Sequence, residues 1–146
     1  MTIDSRFLNM AELMERTFGG HPVRRFLAFH IDALTEGRCT VSIRFEPEFD
    51  NTTGAVHGGI LSMLADTAAA CALATRFDGA MDFATSNLNI HFLRRASTAV
   101  TATATVIKKG ARISVVSTEL HDSDGRQVAT AICEFVLIIQ RDTAEE

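Results

Sequence analysis

The sequence predicts an α+β protein in which a strongly twisted antiparallel β-sheet wraps around one long central helix. Two observations carry this prediction. The segment from about 57 to 76 is apolar on almost every side of a helix, so the rest of the chain has to enclose it. On both sides of it, hydrophobic residues recur at every second position, as they do in half-buried strands. One sheet buries most of such a helix, and we expect the remaining side to need a second subunit.

The amino-terminal region predicts an amphipathic helix over about residues 4–18. Asp4 or Ser5 can cap its start, and Gly19-Gly20 followed by Pro22 ends it. We interpret it as a packing helix that covers one edge of the fold. Its apolar positions recur at helical spacing and are Phe7, Ala11, Met14 and Phe18.

The other segments predict strands. From Phe26 the hydrophobic period changes to two, and residues 26–34 and Cys39–Phe45 predict an antiparallel hairpin around the turn Glu36–Arg38. Four more strands follow the central helix, the last three separated by turn sequences at 109–110 and 122–125. These four strands cover Phe83–Leu93, Ala99–Ile107, Arg112–His121 and Arg126–Ile139.

Composition and charge limit the possible functions. The 146 residues suit one domain, 1–146, and a net charge of −4 gives no basic footprint for nucleic acid. No run approaches the roughly 18 apolar residues of a membrane span, and the amino terminus has no apolar signal region. Three scattered cysteines without C-x-x-C spacing indicate reduced thiols, so we expect a cytoplasmic protein. They are Cys39, Cys71 and Cys133.

Two features of the central helix suggest a reactive site. It opens with His57-Gly58-Gly59, although each glycine costs a helix about 1 kcal/mol relative to alanine. It also carries Asp66 among apolar neighbours, where a carboxylate is costly unless it is paired or used. N–H donors at a helix start can hold a developing oxyanion, and a carboxylate can act as a nucleophile or a general base. The structural alternatives are a sharp turn at the glycines and an Asp66 satisfied by Ser62 or Thr67.

The motif N-x5-H-G-G-x6-D-T, from Asn51 to Thr67, resembles the hotdog-fold acyl-CoA thioesterases of the phenylacetate-pathway type. The resemblance extends over the NIHFLRRA strand, the KKGAR turn and the closing hairpin DSDGRQVATAICEF. It implies that Asp66 is the catalytic carboxylate and that Gly58 supplies an oxyanion-hole N–H. It further implies that Asn51 and His57 support the site. The alignment of Thr85 with a family position implies that it helps to orient the water.

Substrate binding involves further candidate residues. Gly59 lets a ligand approach the helix start, and basic residues can hold the phosphates of CoA, although any one of them can instead be a solvated strand end or turn residue. Arg95 departs from the family, in which proline often follows the basic residue. The five histidines show no metal-ligand spacing, so we expect no metal and no cofactor beyond the CoA of the substrate. The basic candidates are Arg94, Arg95, Lys108, Lys109 and Arg112.

The spacing of Gly58 and Asp66 predicts a shared site. Eight residues of helix separate them by about 12 Å, whereas both groups must reach one carbonyl. Two antiparallel copies related by a two-fold axis bring Gly58 of one chain to Asp66 of the other. The resemblance implies the same homodimer, often paired again into a dimer of dimers.

Other readings remain open at this stage. A hotdog dehydratase or hydratase and a non-catalytic acyl-CoA-binding protein would use the same fold, although Asp50 and His57 match the hydratase signature poorly. The sequence leaves open whether Asp66 attacks the substrate or activates water. It also leaves open the acyl group, because a set of apolar side chains either lines a tunnel or fills the core. That set is Phe26, Phe29, Phe77, Met81 and Phe83.

Overall fold

The computed structural model describes residues 2–19, 22–77 and 82–138. Three α-helices occur there, with short 3₁₀ turns at Ser5–Phe7 and Pro47–Phe49. The helices are α1 (Leu8–Gly19), α2 (Pro22–Leu27) and α3 (Gly58–Ala74). The strands are β1 (Thr2–Ile3), β2 (His30–Thr35), β3 (Arg38–Ile43), β4 (Phe83–Phe92), β5 (Val100–Lys108), β6 (Ile113–Asp122) and β7 (Gln127–Leu137).

All seven strands form one sheet in the order β1-β2-β3-β5-β6-β7-β4. Every neighbouring pair is antiparallel except β1 and β2, which are parallel over two residues. The chain enters α3 after β3 and returns as β4 at the far edge of the sheet. Within the described residues β4 therefore has β7 on one side and a free edge on the other.

The sheet covers most of α3 but not all of it. Leu64, Ala65, Ala68 and Ala69 are fully buried, and small alanine side chains let the strands approach the helix closely. One stripe of the helix stays half-buried, because the strands among the described residues cover it only in part. The stripe consists of Ser62, Met63, Asp66, Thr67 and Ala70.

The carboxyl end of α3 is held by side chains from two turns. Buried Thr75 accepts the N–H of Gly37 at 2.7 Å and donates to the carbonyl of Ala72 at 2.7 Å. Lys109 Nζ donates to the carbonyl of Arg76 at 2.8 Å and lies 4.3 Å from the centre of the Phe77 ring. A cation at this position neutralises the negative end of the helix dipole.

The central helix and the four strands after it match their predicted spans to within two residues. The strand predicted over 26–34 starts only at His30, because Pro22 opens the helix α2 and Phe26 lies within it. Two residues of β1 form a strand that the sequence did not predict. The predicted amino-terminal helix starts as a 3₁₀ turn, with Phe7 buried in it.

Several predicted apolar positions belong to the core. Phe29 and Phe83 are buried, and the Phe83 ring lies edge-on to Phe135 at 5.4 Å. Phe26 is instead 47% exposed, and the centre of its ring lies 5.3 Å from that of Phe49. The side chain of Phe18, Met81 and the end of the last predicted strand lie outside the described residues. None of the helices in the described part of the chain has the length and hydropathy needed to cross a membrane.

Candidate active site

The start of α3 leaves one backbone donor available. His57 is the N-cap residue, and its Nδ1 accepts the N–H of Gly59 at 2.9 Å. The N–H groups of Ile60 and Leu61 bond to the His57 carbonyl at 2.9 and 3.2 Å. Within the described residues the N–H of Gly58 has no acceptor, so it remains available at the positive end of the helix dipole.

The hydrogen bonds at the helix start show that His57 and Gly59 form the helix cap. Since Nδ1 of His57 is an acceptor, its neutral ring carries the proton on Nε2. A Cβ at Gly59 would lie 3.0 Å from His57 Nδ1, a tight contact that the imidazole could relieve only by shifting a few tenths of an ångström. His57 thus caps the helix, and the N–H of Gly59 is used in that cap.

Asn51 belongs to a tight loop in front of the helix. Its Oδ1 accepts the N–H and the hydroxyl of Thr53, at 3.0 and 2.6 Å. Asp50 Oδ1 accepts the N–H of Gly54 at 2.8 Å. Thr52 has a positive φ of 75°, which is unusual for a β-branched residue. The oxygen of Asn51 therefore organises this loop, as its turn-like sequence suggested, and the residue is exposed.

Gly58 opens into a cleft of about 390 Å³. The residues that line this cleft include Asn51, Phe92, Arg94 and Arg95. Arg94 donates to the carbonyl of Gln127 at 3.0 Å, and Arg95 donates to the carbonyl of Thr53. Each guanidinium has five N–H donors, so both retain capacity to bind an anion.

Asp66 lies on the half-buried stripe of α3 and has a specific partner. Thr85 donates its hydroxyl to Asp66 Oδ1 at 2.7 Å. A register shift between Thr85 and Asn87 leaves Ser86 bulged, and a bulge of this kind re-aims side chains beside it. The hydroxyls of Ser62 and Thr67 donate to backbone carbonyls at 2.8 and 2.7 Å and do not satisfy the carboxylate.

Cys133 forms part of the surroundings of Asp66. It is fully buried on β7, and its register partner on β4 is Leu88. Burial, together with the nearby negative charge of Asp66, raises the pKa of this thiol to about 12. The sulfur therefore stays neutral.

The predicted basic residues fall into two groups. Arg94 and Arg95 lie at the cleft beside Gly58, whereas 108–112 form the turn beside the carboxyl end of α3. Seventeen residues of helix place these ends about 25 Å apart in one chain. Lys109 is engaged by Arg76 and Phe77, while Lys108 and Arg112 are exposed without a side-chain partner among the described residues.

One chain does not bring Gly58 and Asp66 together. Both lie in the uninterrupted helix α3, whose rise separates them by about 12 Å.

In the described part of the chain, no cluster of three or more His, Cys, Asp or Glu residues has the arrangement of a metal site. Sequence reasoning did not single out Phe92, although strand alternation places it on the same face of β4 as Leu88 and Ile90.

A helix largely enclosed by an antiparallel sheet, with a free N–H at its start and one carboxylate at mid-helix, is the arrangement expected of a hotdog-fold thioester hydrolase. The family model of the thioesterase superfamily matches residues 53–129, and the chain belongs to this family. The hotdog fold predicted from the sequence is thereby confirmed, as is thioester hydrolase activity as its class of function.

Individual relatives agree with this assignment. A protein of Saccharolobus solfataricus, provisionally named an esterase, is 34% identical over 78% of this chain and 81% of its own. The structure of the Escherichia coli PaaI protein, from the phenylacetic acid degradation operon, has a TM-score of 0.80 and 25% identity, covering 90% of this chain and 95% of that one. A thioesterase family protein of Silicibacter pomeroyi has a TM-score of 0.77 and 26% identity, covering 89% and 98%. The resemblance to PaaI-like thioesterases is confirmed.

Proposed function

We propose that this protein hydrolyses acyl-CoA thioesters to a free acid and CoA, at a site that two subunits build together. The observation that carries the proposal is the geometry of α3. Its first residue, Gly58, has an unused N–H that opens into a cleft, and Asp66 lies on the uncovered side of the same helix. These are the donor and the carboxylate that thioester hydrolysis requires.

Gly58 acts on the substrate carbonyl. As the tetrahedral intermediate forms, negative charge develops on the carbonyl oxygen, and the Gly58 N–H donates to it. The dipole of α3 adds its positive end at the same point. Removing one such donor typically lowers kcat by about 10²–10³-fold. His57 supports this role by fixing the first turn through its bond to Gly59.

Asp66 supplies the second half of the chemistry. Either its carboxylate attacks the carbonyl carbon, expels the CoA thiolate and leaves an anhydride that water hydrolyses, or it takes a proton from the water that attacks. The hydroxyl of Thr85 holds Oδ1 in both cases and leaves Oδ2 to react. In a single turnover in ¹⁸O-labelled water, unlabelled acid together with label in Asp66 identifies the anhydride route with water attacking the Asp66 side, since general-base catalysis always places the solvent oxygen in the acid. The chemistry itself requires no metal and no cofactor.

A homodimer supplies the missing partner of each group. The free edge of β4 lies beside the uncovered stripe of α3, so a second copy that pairs with this edge also covers the stripe. Two antiparallel copies of α3 then place Gly58 of one subunit beside Asp66 of the partner subunit. We propose two identical sites per dimer, with pairing into a dimer of dimers as the further assembly.

The CoA phosphates require cations at the edge of this site. Arg94 and Arg95 lie at the Gly58 cleft and retain free N–H groups. Lys108 and Arg112 stand at the other end of α3, which an antiparallel partner brings towards the same cleft. We assign phosphate binding to these four, and to Lys109 the structural contact at the helix end.

The test is release of free CoA thiol from a panel of acyl-CoA thioesters, comparing the wild type with Asp66→Asn. The variant should lose about 10²-fold or more in kcat with little change in KM, because the carboxylate acts mainly in the transition state. A folded, dimeric variant with wild-type kcat would contradict the role of Asp66. Hydration without thiol release would instead indicate a hydratase, and binding alone a sensor. The three cysteines are buried, so a thiol reagent detects CoA above a low protein background.

A further inference from the structure

We infer that Phe92 forms the wall of the oxyanion side of the site and that its ring is the reason why position 58 is glycine. The inference rests on the proposed function. The decisive contact is between Phe92 and Gly58: a Cβ built on Gly58 would lie 3.0 Å from Phe92 Cζ and 3.3 Å from Cε1. The tip of the ring thus lies directly against the first residue of α3.

The register of β4 explains this contact. Phe92 pairs with buried Ala129, so its side chain is on the face of the sheet that holds α3. Thr85, opposite buried Phe135, is on the same face and reaches Asp66 at the other end of the strand. One strand therefore contacts both reactive positions of the helix, Asp66 through a hydroxyl and Gly58 through an aromatic ring.

The exposure of Phe92 indicates a surface kept for a ligand. The ring is 53% exposed, lines the cleft beside Gly58, and contacts no other aromatic ring among the described residues. An apolar wall beside a hydrogen-bond donor excludes water from it, which strengthens its bond to a developing oxyanion. Because the remaining face of the ring is open, it can also pack against the atoms next to the thioester carbonyl.

The first test compares substitutions of Phe92 in the native dimer. Phe92→Ala should lower kcat by about tenfold, with a smaller change in KM, since shielding acts mainly when charge develops. Phe92→Leu keeps an apolar wall and should therefore keep most of the wild-type kcat. Ile132→Ala removes a comparable exposed side chain, 41% accessible on the outer face of β7, and should leave the kinetics unchanged.

The second test is a double-mutant cycle between positions 58 and 92. Gly58→Ala keeps the N–H but adds the Cβ that meets the ring, so it should lower kcat/KM by about tenfold alone and by far less together with Phe92→Ala. Strictly additive effects, or a Phe92→Ala enzyme as fast as an active wild type, would overturn the inference while the proposed function stands. A wild type that hydrolyses no acyl-CoA would overturn both.

Discussion

A site shared between subunits makes a sharp prediction for mixed dimers. One chain carries Asp66→Ala and the other Gly58→Pro, which removes the N–H donor, and each alone should be nearly inactive. In the mixed dimer, Gly58 of the first chain meets Asp66 of the second, and this site is intact. The other site holds both lesions. Random association makes about half of the dimers mixed, each with one good site, so about a quarter of wild-type activity should return.

The distance that requires a second subunit follows from the geometry of α3. Eight residues at 1.5 Å rise separate Gly58 and Asp66 by about 12 Å, and the helix is unbroken between them. Both groups have to lie within roughly 3–3.5 Å of one reacting carbonyl. A site within one chain would therefore need a broken helix.

The backbone at position 58 accepts proline, although the proline Cβ would meet Phe92 as that of alanine does. Gly58 is the first helical residue, where a missing N–H breaks no helical bond, and His57 has φ −59° and ψ 137°, the conformation preferred before proline. Gly58→Ala is the matched control, because it adds the same Cβ near Phe92 but keeps the donor.

The assay is thiol release from coexpressed chains, with size-exclusion chromatography to establish that each homodimer is folded. If both homodimers are folded and dimeric and the mixtures show no more activity than either homodimer, Gly58 and Asp66 act in a site within one chain. The shared-site model would then be wrong.

Two further predictions separate substrate contacts from structural ones. The double variant Lys108→Ala, Arg112→Ala should raise KM for acyl-CoA but not for a short N-acetylcysteamine thioester, which has no phosphates. The control variant Lys109→Met should leave KM unchanged. It should lower the free energy of unfolding by about 1 kcal/mol, because Lys109 loses its contacts with the helix end and the Phe77 ring. An equal loss with both thioesters would contradict the phosphate assignment. Thr52→Gly should raise the free energy of unfolding in urea by about 1 kcal/mol, because glycine relieves the positive φ of 75°; a less stable variant would show that the Thr52 side chain stabilises the loop.

The sequence predicted the central helix and the later strands well, because their hydrophobic patterns, continuous in the helix and alternating in the strands, come from burial. Alternation in 99–107 reappears as buried Val100, Ala102 and Ala104 facing α3. The pattern failed at Phe26, where local helix signals after Pro22 outweigh an apolar run that also fits a strand. The two residues of β1 carry no periodic signal that could have revealed them.

The candidate site was predicted by residue type, but its contacts depend on tertiary structure. Asp66 stood out as a lone carboxylate, yet its partner proved to be Thr85 from β4 rather than Ser62, one turn away, or the adjacent Thr67. The neighbouring hydroxyls reach the carbonyls of their own helix first, as serine and threonine commonly do. Phe92 escaped notice because only the register of β4 against β7 shows that it faces Gly58.

The proposed dimer also accounts for an acid on an otherwise apolar helix. In one chain Asp66 is half-buried and bonded to Thr85, so it still reaches water. Covering the stripe with a second copy removes that water, at a cost that Thr85 alone offsets only in part. The same packing directs the amino terminus of the partner's α3, with its unused Gly58 N–H, towards the carboxylate. A negative charge near a helix amino terminus is favourable by up to about 2 kcal/mol in a partly buried site. In the proposed dimer, the two groups assigned to the reaction thus also stabilise the interface that brings them together.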